Sequence, residues 1–363
     1  MREALLLIRP APVPGDRLSA VLGAALDGRA TEEICTAQAL AVWGGAGGLR
    51  NRRILFAIAL GECGMNLEWC AMLAFLRGCA GCLEGSVGAV LIDGAGELYT
   101  KSAAKELVFA ANLAGCAFVG QPLVEGTGSL ANFTVQAKNA GTGLFEAYQS
   151  AAHHLADRLE AFEFPHRESP RLLALHASSH STSNTMALWE RVRGLLGGIS
   201  VTEVGLRNGT LSDCSGCPYT ACLHFGERGG CFYGGVMVEE VYPALRQADA
   251  VLFLAPNYND ALSANLTACI NRLTALFRAV RFYDKAVFGI VVSGYSGGDI
   301  VAGQIISAMC MNKTFFLPAR FALIETANDA GTALRLPGIE DRISAFAAGI
   351  RTALLKSEQK ETL

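Results

Sequence analysis

Short apolar runs alternate with stretches of helical periodicity through the second half of the sequence, and no other feature restricts the fold as much. The predicted strands are residues 171–177, 199–205, 249–256, 286–293 and 315–325, and the predicted helices are residues 184–196, 238–248, 263–280, 299–311 and 339–355. Strands that alternate with helices in this way form a parallel sheet whose crossover helices cover both faces. The pattern therefore predicts an open five-stranded α/β domain, in which ligands bind at the carboxyl ends of the strands.

The first half of the sequence repeats the pattern of the second. The segment GAVLIDG in the first half matches FGIVVSG in the second, and QPLVEG matches FALIET, in the same order and at the same spacing. This agreement favours an internal duplication over two unrelated α/β domains of similar layout. A charged segment with two prolines, EFPHRESPR, lies between the halves and is typical of a linker. We therefore expect domains at 1–164 and 171–363, joined by a linker at 165–170.

The composition excludes several classes of protein. The chain has 363 residues, of which 51% are apolar, so it can build two cores. Its 30 Lys and Arg against 33 Asp and Glu give a net charge of -3, which provides no basic field for nucleic acid or for an anionic membrane surface. We find no uncharged apolar run of about eighteen residues, so no membrane span is predicted. The N-terminal apolar run is too short for a secretion signal, and we expect a cytoplasmic protein whose twelve cysteines are reduced, ligate a metal or act in redox chemistry.

A loop rich in hydroxyl side chains, HASSHSTSNT, follows the first strand of the second half. Hydroxyls and backbone N–H groups at the start of a helix offer a phosphate several donors at the positive end of the helix dipole. The candidate donors are Ser178, His180, Ser183, Asn184 and Thr185. The alternative is that Ser183 and Asn184 simply cap the helix.

Two further loops are expected at the same edge of the sheet. The sequence reads APNYND after the third predicted strand and SGYSGGD after the fourth. The glycines of the second loop let a flat ring approach the backbone closely, and its tyrosine can stack on such a ring. The candidate residues of the two loops are Pro256, Asn257, Tyr258, Asn259, Ser293, Gly294, Tyr295, Gly297 and Gly298.

The loop ASSHSTSNT resembles the phosphate loop of the NADPH-dependent FMN reductase and iron-sulfur flavoprotein families, which reads approximately Gly-Ser-x-Arg-x-x-Ser-Asn-Thr. The segment APNYND is similar to the strand of these families that ends in Pro-x-Tyr. The resemblance covers residues 171 to about 330. Ala177 stands in place of the family glycine and His180 in place of the arginine, so the phosphate is expected to be held less electrostatically.

This resemblance implies a flavodoxin-like domain that binds FMN. The hydroxyl-rich loop would hold the phosphate, and Pro256–Asn259 would line the isoalloxazine ring together with residues 293–298. The activity implied is that of an NAD(P)H-dependent FMN oxidoreductase, which passes electrons from a nicotinamide dinucleotide to a small-molecule or protein acceptor. No residue stands out as an acid-base catalyst, because the redox chemistry belongs to the flavin.

The first half is expected to be a degenerate copy without flavin. Where the hydroxyl-rich loop would lie, it has RPAPVPGDR, with prolines in place of donors. The predicted fold is therefore two flavodoxin-like three-layer α/β domains with parallel five-stranded sheets, of which the N-terminal one is degenerate. The resemblance further implies a flavin pocket completed across an interface, so we expect either a monomer with pseudo-dimeric halves or a homodimer.

Four cysteines lie close together after the second predicted strand, in CSGCPYTACLHFGERGGC. The candidate ligands are Cys214, Cys217, Cys222 and Cys231. Four thiolates can hold an iron-sulfur cluster or a zinc ion, and they can also stay free as redox-active thiols. The resemblance implies a 4Fe-4S cluster. Two other functions remain open: a non-enzymatic flavin and iron-sulfur electron carrier, and a zinc-stabilised binding module.

Overall fold

The computed structural model describes residues 4–178 and 183–356. The chain divides into two units, Met1–Glu163 and Phe164–Leu363. Each unit is built on its own five-stranded sheet, and all strand pairs in both sheets are parallel.

The N-terminal unit contains strands β1 (Leu5–Ile8), β2 (Thr31–Ile34), β3 (Arg53–Leu60), β4 (Val87–Gly94) and β5 (Ala117–Gly126). Its helices are α1 (Arg17–Ala25), α2 (Ala37–Gly45), α3 (Leu67–Gly78), α4 (Thr100–Leu113), α5 (Thr134–Ala140) and α6 (Leu144–Ala161). The strand order is β2-β1-β3-β4-β5. The central strands β3 and β4 are apolar almost throughout because helices cover both faces of a parallel sheet.

The C-terminal unit contains strands β6 (Arg171–His176), β7 (Ser200–Gly205), β8 (Ala250–Pro256), β9 (Ala286–Ser293) and β10 (Ala322–Thr326). Its helices are α7 (Asn184–Gly194), α8 (Tyr219–Glu227), α9 (Tyr242–Gln247), α10 (Ala264–Ala279), α11 (Gly298–Ile305) and α12 (Ile339–Leu354). The strand order is β7-β6-β8-β9-β10, which repeats the order of the N-terminal unit. Both units therefore have the flavodoxin-like α/β arrangement, and the predicted fold is confirmed.

The helices begin where the sequence provides caps. Ser183 accepts the N–H of Met186 at the start of α7, and Ser263 accepts the N–H of Leu266 at the start of α10. The alternative that Ser183 caps the helix is thus observed. Capping leaves its hydroxyl hydrogen free to donate elsewhere.

Two elements differ from the sequence prediction. The last strand begins at Ala322 and not at 315, because the chain turns at Arg320, whose φ of 49° is left-handed. The buried Phe316 before this turn pairs with Ala286 as a single bridge only. Helix α8 was not predicted, and it forms inside the four-cysteine loop.

Among residues 4–178 and 183–356, none of the helices has both the length and the apolarity needed to span a bilayer.

Candidate functional site

The loops that follow β8 and β9 are joined at the carboxyl edge of the C-terminal sheet. The side-chain nitrogen Nδ2 of Asn257 donates to Ser293 Oγ at 3.1 Å and to the carbonyl of Ser296 at 2.8 Å. The backbone N–H of Ala327 donates to the carbonyl of Ser293 at 2.9 Å, which brings the loop after β10 to the same place. The structure thus gathers the predicted loops with a third loop that the sequence reasoning missed.

The turn after β8 has a tight two-residue form. Tyr258 and Ala261 exchange backbone hydrogen bonds of 3.1 and 3.2 Å around Asn259 and Asp260. Both central residues have left-handed φ angles, 54° and 58°, as a type I′ turn requires, and Asn and Asp tolerate this conformation. The turn leaves the Tyr258 ring 55% exposed next to Pro256, the last residue of β8.

Glycine is required at the start of α11. Gly297 has a φ of 83°, and a Cβ atom there would overlap Asp260 Oδ1 and lie 2.9 Å from Asn257 Nδ2. At Gly298 a Cβ atom would lie 2.6 Å from Ile324 Cγ2. The loops after β8 and β9 therefore fit together only because Gly297 has no side chain, and the start of α11 approaches β10 closely because Gly298 has none. The neighbouring Tyr295 ring is 82% exposed at the rim.

The loop after β6 presents Ser178 at this edge. Nδ1–H of His176 donates to the Ser178 carbonyl at 3.2 Å, so the residue is held at the end of its strand. Its hydroxyl oxygen Oγ is buried and has no hydrogen-bond partner among the described residues. The predicted site residue His180 lies outside the described residues.

The first turn of α7 is tied to the loop after β10. Asn184 Nδ2 donates to the carbonyls of Ala327 and Asp329 at 3.1 and 2.8 Å, and its Oδ1 accepts the N–H of Ala333 at 3.3 Å. The side chain thus has no donor left for a phosphate, and only the backbone N–H of Asn184 stays a candidate. Thr185, the next residue, is 1% exposed.

Asn257 carries a second unsatisfied atom of this edge. Its Oδ1 is buried and accepts no hydrogen bond from the described residues, although its Nδ2 is fully used. A buried polar atom without a partner costs about 1–3 kcal/mol, so these two atoms on neighbouring loops are candidates for hydrogen bonds with a ligand. The hydroxyl of Ser178 can donate to a phosphate, and Asn257 Oδ1 can accept from a ring N–H. These two atoms and the glycine-lined turn fit FMN.

The four-cysteine loop does not form the predicted metal site. Cys217 precedes helix α8, Cys222 lies within it, Cys231 follows it, and Cys214 is exposed. In the described parts of the chain, no three His, Cys, Asp or Glu side chains are placed to hold a metal ion. The prediction of a 4Fe-4S cluster on Cys214, Cys217, Cys222 and Cys231 is therefore not supported, and the described residues show no grouping for the zinc alternative either.

The nearest helix offers no substitute ligand. Cys269 of α10 is buried, and desolvation raises the pKa of its thiol to about 12 even though Arg272 opposes the shift. It is a neutral thiol at physiological pH. Arg278 stacks on the Tyr219 ring with 4.6 Å to the centroid, which holds α8 against α10.

The same edge of the N-terminal unit is occupied by an arginine. Nε of Arg17 donates to Asp93 Oδ2 at 2.8 Å, and its Nη atoms donate to the carbonyls of Gly94, Thr127 and Gly128, each at 2.9 Å. Burial raises the pKa of Asp93, and the contact with Arg17 opposes this rise. The crevice at the ends of β4 and β5 is thus closed by the guanidinium of Arg17.

Residues 170–329 match the profile of the NADPH-dependent FMN reductase family. No curated protein matches the chain. Among solved structures, the chain is similar to the NAD(P)H:quinone oxidoreductase of Methanothermobacter marburgensis, with 15% identity, a TM-score of 0.38 and coverage of 53% of this chain and 100% of the other. An azoreductase of Bacillus anthracis has 16% identity and a TM-score of 0.35, with coverage of 51% of this chain and 98% of the other. RosB has 15% identity and a TM-score of 0.40, with coverage of 51% of this chain and 78% of the other.

The family match covers the carboxyl-edge loops after β6, β8 and β9, including the unsatisfied atoms of Ser178 and Asn257. The family carries the enzymatic activity expected from the sequence, NAD(P)H-dependent reduction through FMN. Residues 170–329 of this chain therefore belong to the NADPH-dependent FMN reductase family.

Proposed function

We propose that the C-terminal unit binds FMN at the carboxyl edge of its sheet and moves electrons from NAD(P)H to an acceptor. One observation carries this proposal: Ser178 Oγ and Asn257 Oδ1 are both buried without a partner among the described residues, on loops within the family match. One atom suits the phosphate end of FMN and the other the ring end. When bound, FMN accepts hydride from the nicotinamide and releases electrons singly or in pairs.

The phosphate end is held by the start of α7. Ser178 and Ser183 supply hydroxyl donors, and Asn184 and Thr185 supply backbone N–H groups at the positive end of the helix dipole. Ser183 keeps its oxygen on the cap and turns its hydroxyl hydrogen outward. His180 is proposed as a further donor on the basis of its place in the sequence.

The ring end is held by the loops after β8 and β9. Asn257 Oδ1 accepts a hydrogen bond from the ring, because its Nδ2 is fixed by Ser293 and Ser296. The glycines at 294, 297 and 298 let the backbone approach the ring, and Asn259 with Pro256 shapes the turn beside it. The exposed rings of Tyr258 and Tyr295 stand at the rim, where they can stack on the flavin or on an aromatic acceptor.

An absorption spectrum and a flavin titration test the proposal. The purified protein is expected to bind one FMN per chain, and NADPH is expected to bleach the flavin under anaerobic conditions. Ser178→Ala should weaken FMN binding about tenfold through loss of one hydrogen bond to a charged group. Ser344→Ala, on the exposed face of α12, is the matched control and should bind normally. Failure of the wild-type protein to bind FMN at micromolar concentration would reject the proposal.

Turnover separates the enzyme from a non-enzymatic electron carrier. Steady oxidation of NAD(P)H with a soluble quinone or an azo dye as acceptor is the expected result. A flavin that is reduced once and then reoxidised only by a protein partner would instead establish the carrier. The exposure of Tyr258 and Tyr295 at the rim favours direct access of a small acceptor.

A further inference from the structure

His176 is a buried titratable residue that the proposed binding site does not yet use. It is the last residue of β6 and is 7% exposed. Its ring lies between the carbonyl of Ser178, 3.2 Å from Nδ1, and the carboxylate of Glu203, whose Oε1 is 3.4 Å from Nε2. The ring therefore touches the residue whose unsatisfied hydroxyl faces the proposed phosphate site.

The contacts of the ring favour its doubly protonated form. Nδ1 faces a carbonyl oxygen, which can only accept, so Nδ1 carries a hydrogen. Nε2 faces Glu203, whose other oxygen accepts Nε1–H of Trp189 at 2.9 Å and lies 3.8 Å from Arg193. Glu203 Oε1 lies 3.4 Å from Nε2, and an acceptor at this position calls for a hydrogen on Nε2 as well.

We propose that His176 is a positioning residue for the phosphate of FMN, and that Glu203 holds its ring in the cationic form under the loop that follows β6. This inference rests on the proposed binding of FMN. The cation has two effects on the phosphate: its Nδ1–H fixes the backbone of Ser178, and its charge attracts the dianion. The segment HASSHSTSNT contains no arginine or lysine that could supply this positive charge.

The sign of the pH dependence follows from these charges. The charged groups that face the ring among the described residues are Glu203 of β7, Arg193 of α7 and Arg207, which lies beyond Gly205. When the ring loses its second proton, Glu203 keeps its negative charge and the site becomes less positive. Binding of the phosphate is therefore linked to uptake of a proton, and FMN binds more weakly as pH rises.

The test is FMN affinity as a function of pH, measured by quenching of flavin fluorescence in the full chain. For the wild-type protein, affinity is expected to fall about fivefold more than for His176→Asn between about pH 6 and about pH 9. The asparagine keeps one donor for Ser178 but cannot be charged. Both proteins share the titration of the FMN phosphate itself, so the difference isolates the ring. Calorimetry in buffers of different ionisation enthalpy should show proton uptake that this variant loses.

Two further variants complete the design. Glu203→Gln keeps an oxygen for Trp189 and removes the charge, so it should shift the fall in affinity to lower pH. His166→Asn is the control, because this exposed histidine contacts the Thr352 carbonyl and the Phe164 ring, away from Ser178 and Glu203, and should keep the wild-type profile.

The outcomes separate this inference from the proposed function. If the wild-type protein binds no FMN at any pH, the proposed function is rejected. If it binds FMN with the same pH profile as both His176→Asn and Glu203→Gln, the function stands and the role of His176 is overturned. If one variant does not fold, the other still decides between these results.

Discussion

Arg17 Nε lies 2.8 Å from Asp93 Oδ2, across the ends of two parallel strands of the N-terminal unit. Arg17 is the first residue of α1, and the first residue of α7 is Asn184, which binds carbonyls of the loop after β10. The carbonyls that Arg17 binds include Thr127 and Gly128, in the loop after β5. In both units the first residue of the first helix thus ties down the loop after the fifth strand.

Removal of the Arg17 side chain should destabilise the N-terminal unit. Arg17→Ala removes four hydrogen bonds, three to carbonyls and one to a carboxyl, and the expected loss of unfolding free energy is about 3 kcal/mol. Urea denaturation followed by circular dichroism measures it. Arg191→Ala breaks an ion pair whose side chains are both 56% exposed, and it should cost less than about 1 kcal/mol. Equal losses in the two variants would contradict the role assigned to Arg17.

A methyl group at position 297 should damage the ring end of the flavin site. Gly297→Ala combines a left-handed φ with overlap on Asp260, so the turn must move and Asn257 must shift with it. We expect FMN to bind at least about tenfold more weakly, with a stability loss of about 1–2 kcal/mol. Gly349→Ala, in the exposed middle of α12 where a Cβ atom meets nothing, should gain about 0.5–1 kcal/mol and bind FMN normally. Unchanged affinity in Gly297→Ala would place the flavin elsewhere.

Asp93 should give the N-terminal unit an unusual pH dependence. Burial raises the pKa of Asp93 in the folded state, whereas the unfolded carboxyl titrates near about pH 4. In the window between these two values the folded state binds more protons, so a rise in pH lowers the free energy of unfolding. Most carboxyls that pair with arginine have a lowered pKa in the folded state, so for them a rise in pH increases the free energy of unfolding.

Comparison of Asp93→Asn with the wild-type protein isolates this effect. Urea midpoints measured from about pH 4 upward should show the wild-type protein losing stability relative to the variant as Asp93 ionises. A difference that stays constant, or that grows in favour of the wild-type protein, would show that the pairing with Arg17 outweighs burial.

Removal of metal ions should have no effect on this protein. Because no three metal-ligating side chains are grouped among the described residues, we expect no stoichiometric iron, sulfide or zinc, and a chelator should leave the melting temperature and the FMN content unchanged. Cys214→Ser should behave like Cys63→Ser, which alters an exposed cysteine of the other unit. The opposite result would be stoichiometric iron and inorganic sulfide that Cys214→Ser loses and Cys63→Ser keeps. That result would support an iron-sulfur cluster on the four-cysteine loop.

The sequence could predict the fold because strand and helix patterns are local. Apolar runs marked β6, β8 and β9 almost to the residue, and the segments APNYND and SGYSGGD marked two loops that the structure joins at one edge. Position along a doubly wound sheet follows from strand order, so neighbouring loops could be expected to meet.

The missed features all depend on contacts between distant segments. Asn184 binds carbonyls about 145 residues further along the chain, and a backbone carbonyl leaves no mark in the sequence. Asp260 matters because Gly297 leaves room for it, a fit that neither residue shows alone. The spacing of the four cysteines likewise could not reveal that a helix would form between them.

In the N-terminal unit the guanidinium of Arg17 binds the carbonyls of the loop after the fifth strand, as the side-chain amide of Asn184 does in the C-terminal unit. Because Arg17 itself binds the carbonyls of Gly94, Thr127 and Gly128, the loop after β5 is held in place by the chain's own hydrogen bonds. Substitutions in these neighbouring turns must therefore preserve the backbone positions that the guanidinium of Arg17 binds.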